Sequence, residues 1–154
     1  MEFLKKYITN VPDFPKPGIL FRDISPLLKS AWFPYAIKNM GKLVPSPDYW
    51  VGIDSRGFIF ASALSGIFGN GMIMCRKKGK LPPPIISQSF SLEYGEDILE
   101  IQPGYGTVVI VDDVYATGRT MNAAEQLCLK AGYEVLDKLV LINLNKESNV
   151  KSLI

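Results

Sequence analysis

Two adjacent carboxylates, Asp112 and Asp113, directly follow Val108–Val111, a run of four β-branched residues. Such a run is typical of an interior strand in a parallel sheet, where both faces are covered. The next segment, Ala116–Thr120, combines small residues with hydroxyls and predicts a turn that opens a helix. Helix starts bind phosphate through backbone N–H groups, and ligands of open α/β sheets bind at the carboxyl ends of strands. We therefore predict that the strand ends at the acidic pair and that an anion site follows it.

Two further groups of charged residues suit the same chemistry. The turn Asp54–Gly57 follows Trp50–Ile53, a second predicted core strand, so its Arg56 is expected to face the same crevice. The planar fork of arginine binds phosphate oxygens bidentately. Four basic residues lie within Arg76–Lys80, which indicates a second contribution to a local anionic ligand.

The composition excludes several classes of chemistry. The chain has no histidine, so a general acid or base must be a carboxylate, Tyr, Lys or a bound water. Its two cysteines lack the spacing of a zinc site and are predicted to be reduced core thiols. A net charge of +2 does not predict a nucleic-acid partner, and the longest apolar stretch, Phe58–Phe68, is too short to span a bilayer. We expect a soluble cytoplasmic protein with no nucleic-acid and no membrane partner.

The remaining elements must position these groups. The 154 residues fit one domain, and the alternation of strand and helix patterns predicts an α/β fold with a mostly parallel central sheet and helices on both faces. Ile85–Ile101 is expected to form two extended segments around a loop, outside the core. The other predicted elements are an amphipathic helix from Phe33, a buried helix over Phe58–Phe68 that is apolar on nearly every side, a strand at Met72–Cys75, a helix that stops at Gly132, and a strand at Val135–Leu144.

Together these segments resemble the type I phosphoribosyltransferases, whose signature is a hydrophobic strand, paired acids and a Thr-Gly-x-Thr phosphate loop. Five blocks in the family's order are similar to the branch that acts on adenine: Val11–Pro15, Pro17–Leu27, Asp54–Phe58, Arg76–Pro82 and Ser91–Gly95. The resemblance implies a type I phosphoribosyltransferase fold over residues 1–154, with a hood at about residues 1–30 and a flexible catalytic loop.

The activity that the resemblance implies is transfer of the phosphoribosyl group of phosphoribosyl pyrophosphate to adenine, giving AMP and pyrophosphate in purine salvage. It also implies Mg²⁺ bound mainly through the substrate, and a homodimer. Two alternatives stay open: a phosphoribosyltransferase for hypoxanthine or guanine, and a non-catalytic regulator that senses phosphoribosyl pyrophosphate. No helix-turn-helix pattern precedes Val11, which disfavours the regulator.

The resemblance assigns the phosphoribosyl pyrophosphate site as follows. Asp112 and Asp113 bind the ribose hydroxyls and lie near the metal without ligating it directly. Alternatively, one of them caps a loop or pairs with Arg119 or a lysine. The 5′-phosphate contacts are Ala116, Thr117, Gly118, Arg119 and Thr120, and the pyrophosphate contacts are Ser55, Arg56, Arg76 and Lys80. Arg119 stands where the family usually has a small residue.

The purine site and the catalytic loop are assigned in the same way. Glu93 is the acid/base for the purine, and Tyr94 covers the reacting sugar; the alternative for Glu93 is an exposed loop carboxylate. Phe21 stacks on the purine, while main-chain groups of Leu20 and Arg22 read its exocyclic amine. Phe21 as core packing, and Arg22 paired with Asp13 or Asp23, are the alternatives.

Overall fold

All 154 residues are described in a computed structural model, which contains a central sheet, flanking helices and an amino-terminal layer. The amino-terminal elements are a 3-10 helix (Glu2–Tyr7), β1 (Thr9–Val11), β2 (Phe21–Asp23) and α1 (Ser25–Leu28). The elements of the central layers are α2 (Trp32–Gly41), β3 (Tyr49–Ile53), α3 (Arg56–Phe68), β4 (Gly71–Lys77), β5 (Ile86–Ser91), β6 (Glu96–Ile101), β7 (Gly106–Tyr115), α4 (Arg119–Ala131), β8 (Tyr133–Asn143) and β9 (Lys151–Ser152).

The central sheet has seven strands in the order β5-β6-β4-β3-β7-β8-β9. β3 pairs in parallel with β4 and β7, and β8 pairs in parallel with β7 and β9. The hairpin β5-β6 joins the sheet antiparallel to β4. Two βαβ units, β3-α3-β4 and β7-α4-β8, therefore build the parallel part, which confirms the predicted mostly parallel sheet.

Strand β7 explains why the acidic pair follows a continuous apolar run. Val109 and Val111 pack into a core cluster with α2 and α3, whereas Val108 and Ile110 pack into a second cluster with α4. Both faces are covered, so no position in the run favours a polar side chain. The predicted end of the strand was wrong: pairing with β8 continues through the acids as far as Tyr115.

Two further expectations need correction. Helix α3 is not buried on nearly every side, because Ile59 is 38% exposed and Ile67 is 45% exposed. The hairpin is partly a core element, since Leu99 and Ile101 of β6 are fully buried beneath α4. A sequence pattern reports polarity along one chain, but the neighbour that covers each face is set by the pairing of distant strands.

Both cysteines lie in the second cluster as free, fully buried thiols, as predicted. Burial raises the pKa of Cys128 to about 12 and raises that of Cys75 further. Neither thiol is therefore a nucleophile at neutral pH.

The amino-terminal layer, here called the hood, consists of the two-stranded antiparallel sheet β1-β2 with its flanking helices. Leu4, Ile24 and Leu27 are almost fully buried and join the first core cluster, which fixes the hood against the sheet near α2. No helix in the chain combines the length and apolar character needed to cross a bilayer.

Candidate active site

The turn between β7 and α4 encloses a small cavity of about 110 Å³. Gly118 adopts a left-handed conformation with φ of 87°, which turns the chain from the strand into the helix. Helix α4 begins at Arg119, and its first main-chain bond to a carbonyl of the turn runs from the N–H of Asn122 to Gly118 at 2.9 Å. The first helical turn therefore leaves N–H groups available to an anion. The cavity is lined by Asp112, Val114, Tyr115, Ala116, Thr117, Gly118, Arg119, Thr120 and Met121, which include every residue predicted for the 5′-phosphate.

Within this turn, Thr117 and Arg119 are exposed, and the N–H of Arg119 donates to Oγ1 of Thr117 at 3.4 Å. The Arg119 side chain forms no ion pair, so the alternative that it pairs with an acid is wrong. It also lines a neighbouring groove between β5 and α4. Its guanidinium therefore lies between the phosphate cavity and the hairpin.

The two carboxylates have different surroundings. Asp112 is half-buried at the phosphate cavity, and its Oδ1 accepts the N–H of Asp113 at 2.9 Å. Burial, and next the charge of Asp113, raise the pKa of Asp112 well above its ordinary value. Asp113 is 5% exposed and forms an ion pair with Arg56, at 2.6 Å between Oδ2 and Nη2. That contact is not aligned as a hydrogen bond, so Oδ2 of Asp113 is a buried acceptor without a hydrogen-bond donor.

Arg56 connects Asp113 to the hood. As the first residue of α3 it lies within the predicted turn Asp54–Gly57, so the helix begins before the predicted end of that turn, with Ser55 exposed beside it. Its Nη1 donates to the main-chain carbonyl of Arg22 at 2.8 Å, and its Cζ lies 4.7 Å from the ring centroid of Phe21. The sequence predicted that Arg56 faces the crevice. The structure shows in addition that Arg56 contacts the hood, and no local sequence pattern indicates those contacts.

A carboxylate that the sequence analysis left without a role organises the basic residues. The side chain of Asp54 is 6% exposed and lies 3.6 Å from Nε of Arg76 and 3.5 Å from Nζ of Lys80. It also accepts the N–H of Lys77 at 3.3 Å. Nε of Arg76 is buried without an aligned acceptor. The cations predicted for the pyrophosphate are thus held beside Arg56 by one acid at the end of β3.

The hood residues face two cavities because side chains alternate along β2. Phe21 lines a cavity of about 530 Å³ together with Phe14, Ile59 and Arg56, and it is half-buried outside the core clusters. The Arg22 side chain lines a second cavity of about 330 Å³ and donates to Oδ1 of Asn10 at 2.6 Å. The expected pairing of Arg22 with Asp13 or Asp23 is therefore wrong. Leu20 is 48% exposed just before β2.

Asp13 and Asp23 instead stabilise local turns. Oδ1 of Asp13 accepts the N–H of Gly18 at 2.8 Å, and Oδ1 of Asp23 accepts the N–H of Ser25 at 2.9 Å. The second hood cavity also includes Asn143 and Leu144 from the end of β8, which the sequence analysis did not single out. Their neighbourhood depends on the docking of the hood onto the sheet, so no spacing along the chain reveals it.

Glu93 and Tyr94 lie apart from all these groups. They occupy the turn between β5 and β6, which is closed by a bond from the N–H of Leu92 to the carbonyl of Gly95 at 2.8 Å. Tyr94 is 90% exposed, and neither residue lines a described cavity. The structure therefore brings together residues that were predicted to bind anions but leaves the predicted acid/base outside the crevice.

Comparison with known proteins identifies the architecture. A family model for the phosphoribosyl transferase domain matches residues 36–152. The adenine phosphoribosyltransferase of Bdellovibrio bacteriovorus is 52% identical over 144 residues, covering 92% of this chain and 87% of that protein. The solved structure of the Rhodothermus marinus adenine phosphoribosyltransferase has a TM-score of 0.87 at 38% identity, covering 98% of this chain and 95% of that one.

A third relative was solved with ligands. Adenine phosphoribosyltransferase from Saccharomyces cerevisiae, complexed with an imino-altritol bisphosphate and adenine, has a TM-score of 0.86 at 32% identity and covers 99% of this chain and 96% of that one. This chain therefore belongs to the phosphoribosyltransferase family. Its mostly parallel sheet with flanking helices is the fold that the resemblance implied. Within the family, its relatives group it with the adenine phosphoribosyltransferases.

Proposed function

We propose that this enzyme transfers the phosphoribosyl group of phosphoribosyl pyrophosphate to adenine and releases AMP and pyrophosphate, a purine-salvage reaction. The observation that carries the proposal is the phosphate-sized cavity formed by Ala116–Thr120 at the start of α4, with Asp112 in its wall. The adenine in the yeast relative's complex supports the choice of base. Assignment of the individual residues is part of the proposal.

The ribose binds at the acidic pair. Oδ2 of Asp113 is buried and lacks a hydrogen-bond donor, which a ribose hydroxyl would supply. Asp112 lines the phosphate cavity, so a 5′-phosphate bound in the turn would bring its ribose next to the carboxylates. The ionised form of Asp112 is disfavoured by burial in the empty site, and hydroxyl donors would favour it.

The pyrophosphate binds at the corner formed by Ser55, Arg56, Arg76 and Lys80. Nε of Arg76 is a buried donor without an aligned acceptor, and a phosphate oxygen would provide one. Asp54 holds Arg76 and Lys80 at that corner. The three cations Arg56, Arg76 and Lys80 outnumber the two acids that they contact, Asp54 and Asp113, so one net positive charge stays to stabilise the leaving group.

Magnesium enters with the substrate in this proposal. The chain has no group of three or more carboxylate or cysteine side chains that could hold a metal. Mg²⁺ usually keeps several waters and binds through substrate phosphates, and Asp112 and Asp113 would lie near the ion without ligating it directly. The ion would supply positive charge to the diphosphate.

Glu93 and Tyr94 complete the site when the hairpin turn approaches the crevice. Glu93 would exchange a proton with the purine as its other ring nitrogen attacks C1′, and Tyr94 would shield the cationic sugar from water. Phe21 stacks on the base, and the Leu20 and Arg22 main chain reads its amine. These roles require the turn to move from the exposed position described above.

We propose further that the enzyme is a cytoplasmic homodimer. Ile67 and Phe68 expose apolar surface at the end of α3, which supports an interface there. The two unpaired, buried thiols support a reducing compartment. Light scattering at micromolar concentration tests the dimer, and a single-chain mass would contradict it.

The decisive experiment is an assay of AMP formation from adenine with and without Mg²⁺. We expect AMP with the ion present and turnover at least about 100-fold lower with hypoxanthine, whose 6-oxo group has the opposite hydrogen-bond polarity. Equal turnover of hypoxanthine would assign a different purine. Tight binding of phosphoribosyl pyrophosphate without turnover of any purine would indicate the non-catalytic regulator.

A further inference from the structure

The guanidinium of Arg56 contacts three groups that the proposed function assigns to other partners. Its Nη2 is 2.6 Å from Oδ2 of Asp113, assigned to the ribose. Its Nη1 donates at 2.8 Å to the carbonyl of Arg22, assigned to the exocyclic amine of the base. Its Cζ lies 4.7 Å from the ring centroid of Phe21, assigned to the purine ring. One side chain thus covers parts of the ribose and purine subsites at once.

The chemical match between the guanidinium and an aminopurine explains how this is possible. β2 pairs only with β1, so its other edge is free, and the Arg22 carbonyl on that edge receives the Arg56 N–H. A guanidinium is planar, donates N–H groups in its plane and packs on aromatic faces. Adenine presents a planar ring and an N–H donor to the same edge and the same aromatic residue.

A pyrophosphate bound at its corner would compete with the hood and Asp113 for the Arg56 guanidinium. Arg56 begins α3 two residues after Asp54, which holds Arg76 and Lys80. A pyrophosphate there offers several charged oxygens, whereas Asp113 offers one unaligned oxygen. Bidentate arginine–phosphate contacts are among the strongest hydrogen bonds in proteins, so the anion competes well for the guanidinium.

We propose that Arg56 couples the pyrophosphate subsite to the purine subsite. The Arg56 guanidinium covers the Arg22 carbonyl and the Phe21 ring, and a bound pyrophosphate group draws it away and opens them to adenine. This inference rests on the proposed function. It makes Arg56 a positioning residue for the base as well as a contact of the leaving group, and it predicts that pyrophosphate alone strengthens adenine binding.

Calorimetric titration of adenine, with and without saturating magnesium pyrophosphate, tests the coupling, because no ribosyl donor is present and no reaction occurs. We expect adenine to bind the wild-type enzyme about 10-fold more tightly with pyrophosphate, within the usual range for coupled sites. Arg56→Ala should bind adenine without pyrophosphate about 10-fold more tightly than the wild type does, because the competing group is gone.

Lys78→Ala is the matched control, since it removes an exposed cation next to the pyrophosphate corner that forms no ion pair and no side-chain hydrogen bond to the hood. Its adenine affinity without pyrophosphate should equal that of the wild type. Arg56→Lys serves if the alanine variant does not fold: it keeps the charge beside Asp113 but loses the planar fork, so adenine affinity should again rise.

Two outcomes overturn the coupling: equal adenine affinity with and without pyrophosphate that is shown to bind, or folded Arg56 variants that bind adenine no better than the wild type. Failure of the proposed function has a different signature, in which adenine binds under no condition while another purine does. The same titrations with that purine then decide the coupling.

Discussion

The phosphate turn and the β5-β6 turn are both short connections in the same sheet, yet they are constructed in opposite ways. The first follows a central strand, is fixed by the start of α4 and already encloses a cavity. The second connects the two strands of a hairpin at the edge of the sheet and leaves Tyr94 90% exposed. A binding subsite gains affinity from being formed in advance, whereas a group that shields the reaction must first admit the substrate. The contrast predicts that changes in the two turns affect different kinetic constants.

The largest effect should come from Glu93→Gln. Removing the acid/base should lower kcat by at least about 100-fold, in the range typical of general acid–base catalysis, while phosphoribosyl pyrophosphate binding stays within about two-fold. Steady-state kinetics and calorimetry measure the two quantities. Glu96→Gln, an exposed carboxylate at the start of β6 that forms no ion pair, is the matched control and should resemble the wild type. An unchanged kcat in Glu93→Gln would remove the catalytic role from the hairpin.

The phosphate side should respond through binding. Asp112→Asn removes the charged acceptor at the cavity, and hydrogen bonds to charged groups are worth about 1.5–3 kcal/mol. We therefore expect phosphoribosyl pyrophosphate to bind about 10- to 100-fold more weakly, with a much smaller change in its turnover at saturation. Undiminished affinity in a calorimetric titration would show that Asp112 does not bind the sugar. It would also contradict the proposed difference between the two turns.

A smaller loss should follow Thr117→Val, which keeps the shape of the side chain but removes its hydroxyl. A neutral hydrogen bond contributes about 1 kcal/mol, so the dissociation constant for phosphoribosyl pyrophosphate should rise about five-fold. Ser148→Ala is the control for loss of a hydroxyl as such. The Ser148 hydroxyl lies outside the phosphate turn and accepts a hydrogen bond only from Asn143. A fall in kcat without a change in affinity would show that the turn acts on the reaction and not on binding.

The smallest effect concerns the stability of the empty enzyme. The pKa of Asp112 is raised in the folded state, so the folded protein favours the protonated carboxyl and loses stability as pH rises from the unfolded pKa through the folded one. Asp112→Asn should therefore raise the melting temperature at pH 7.5 by roughly 2–4 °C, the shift expected for about 1 kcal/mol in a domain of this size. At about pH 3 or below the gain should shrink, because Asp112 is then mostly neutral in both states.

Thermal melts of both proteins across this pH range measure the difference. A melting temperature of Asp112→Asn that is lower than the wild type at pH 7.5 would mean that the carboxylate stabilises the empty turn. The preformed shape of the phosphate turn would then be explained by its contribution to stability, without reference to phosphate binding.

The sequence by itself determined the parts of this protein that lie within one continuous segment. The run Val108–Val111, the acids and the Thr-Gly-Arg-Thr turn follow one another, so strand, phosphate turn and helix could be predicted from local chemistry. The resemblance carried by several such segments implied the family, which the comparisons bear out. Where the strand ends could not be predicted, because backbone pairing with β8 continues regardless of side-chain charge.

Only the tertiary structure decided which charges meet. The Arg56 contacts with Asp113 and Arg22, and the Asp54 contacts with Arg76 and Lys80, join residues that are 20 or more positions apart. Such partners depend on which strands are adjacent and on how the hood docks, and local patterns carry no information about either. The same reason explains the partly exposed α3 and the buried β6, since burial is a property of the packed layers and not of one segment.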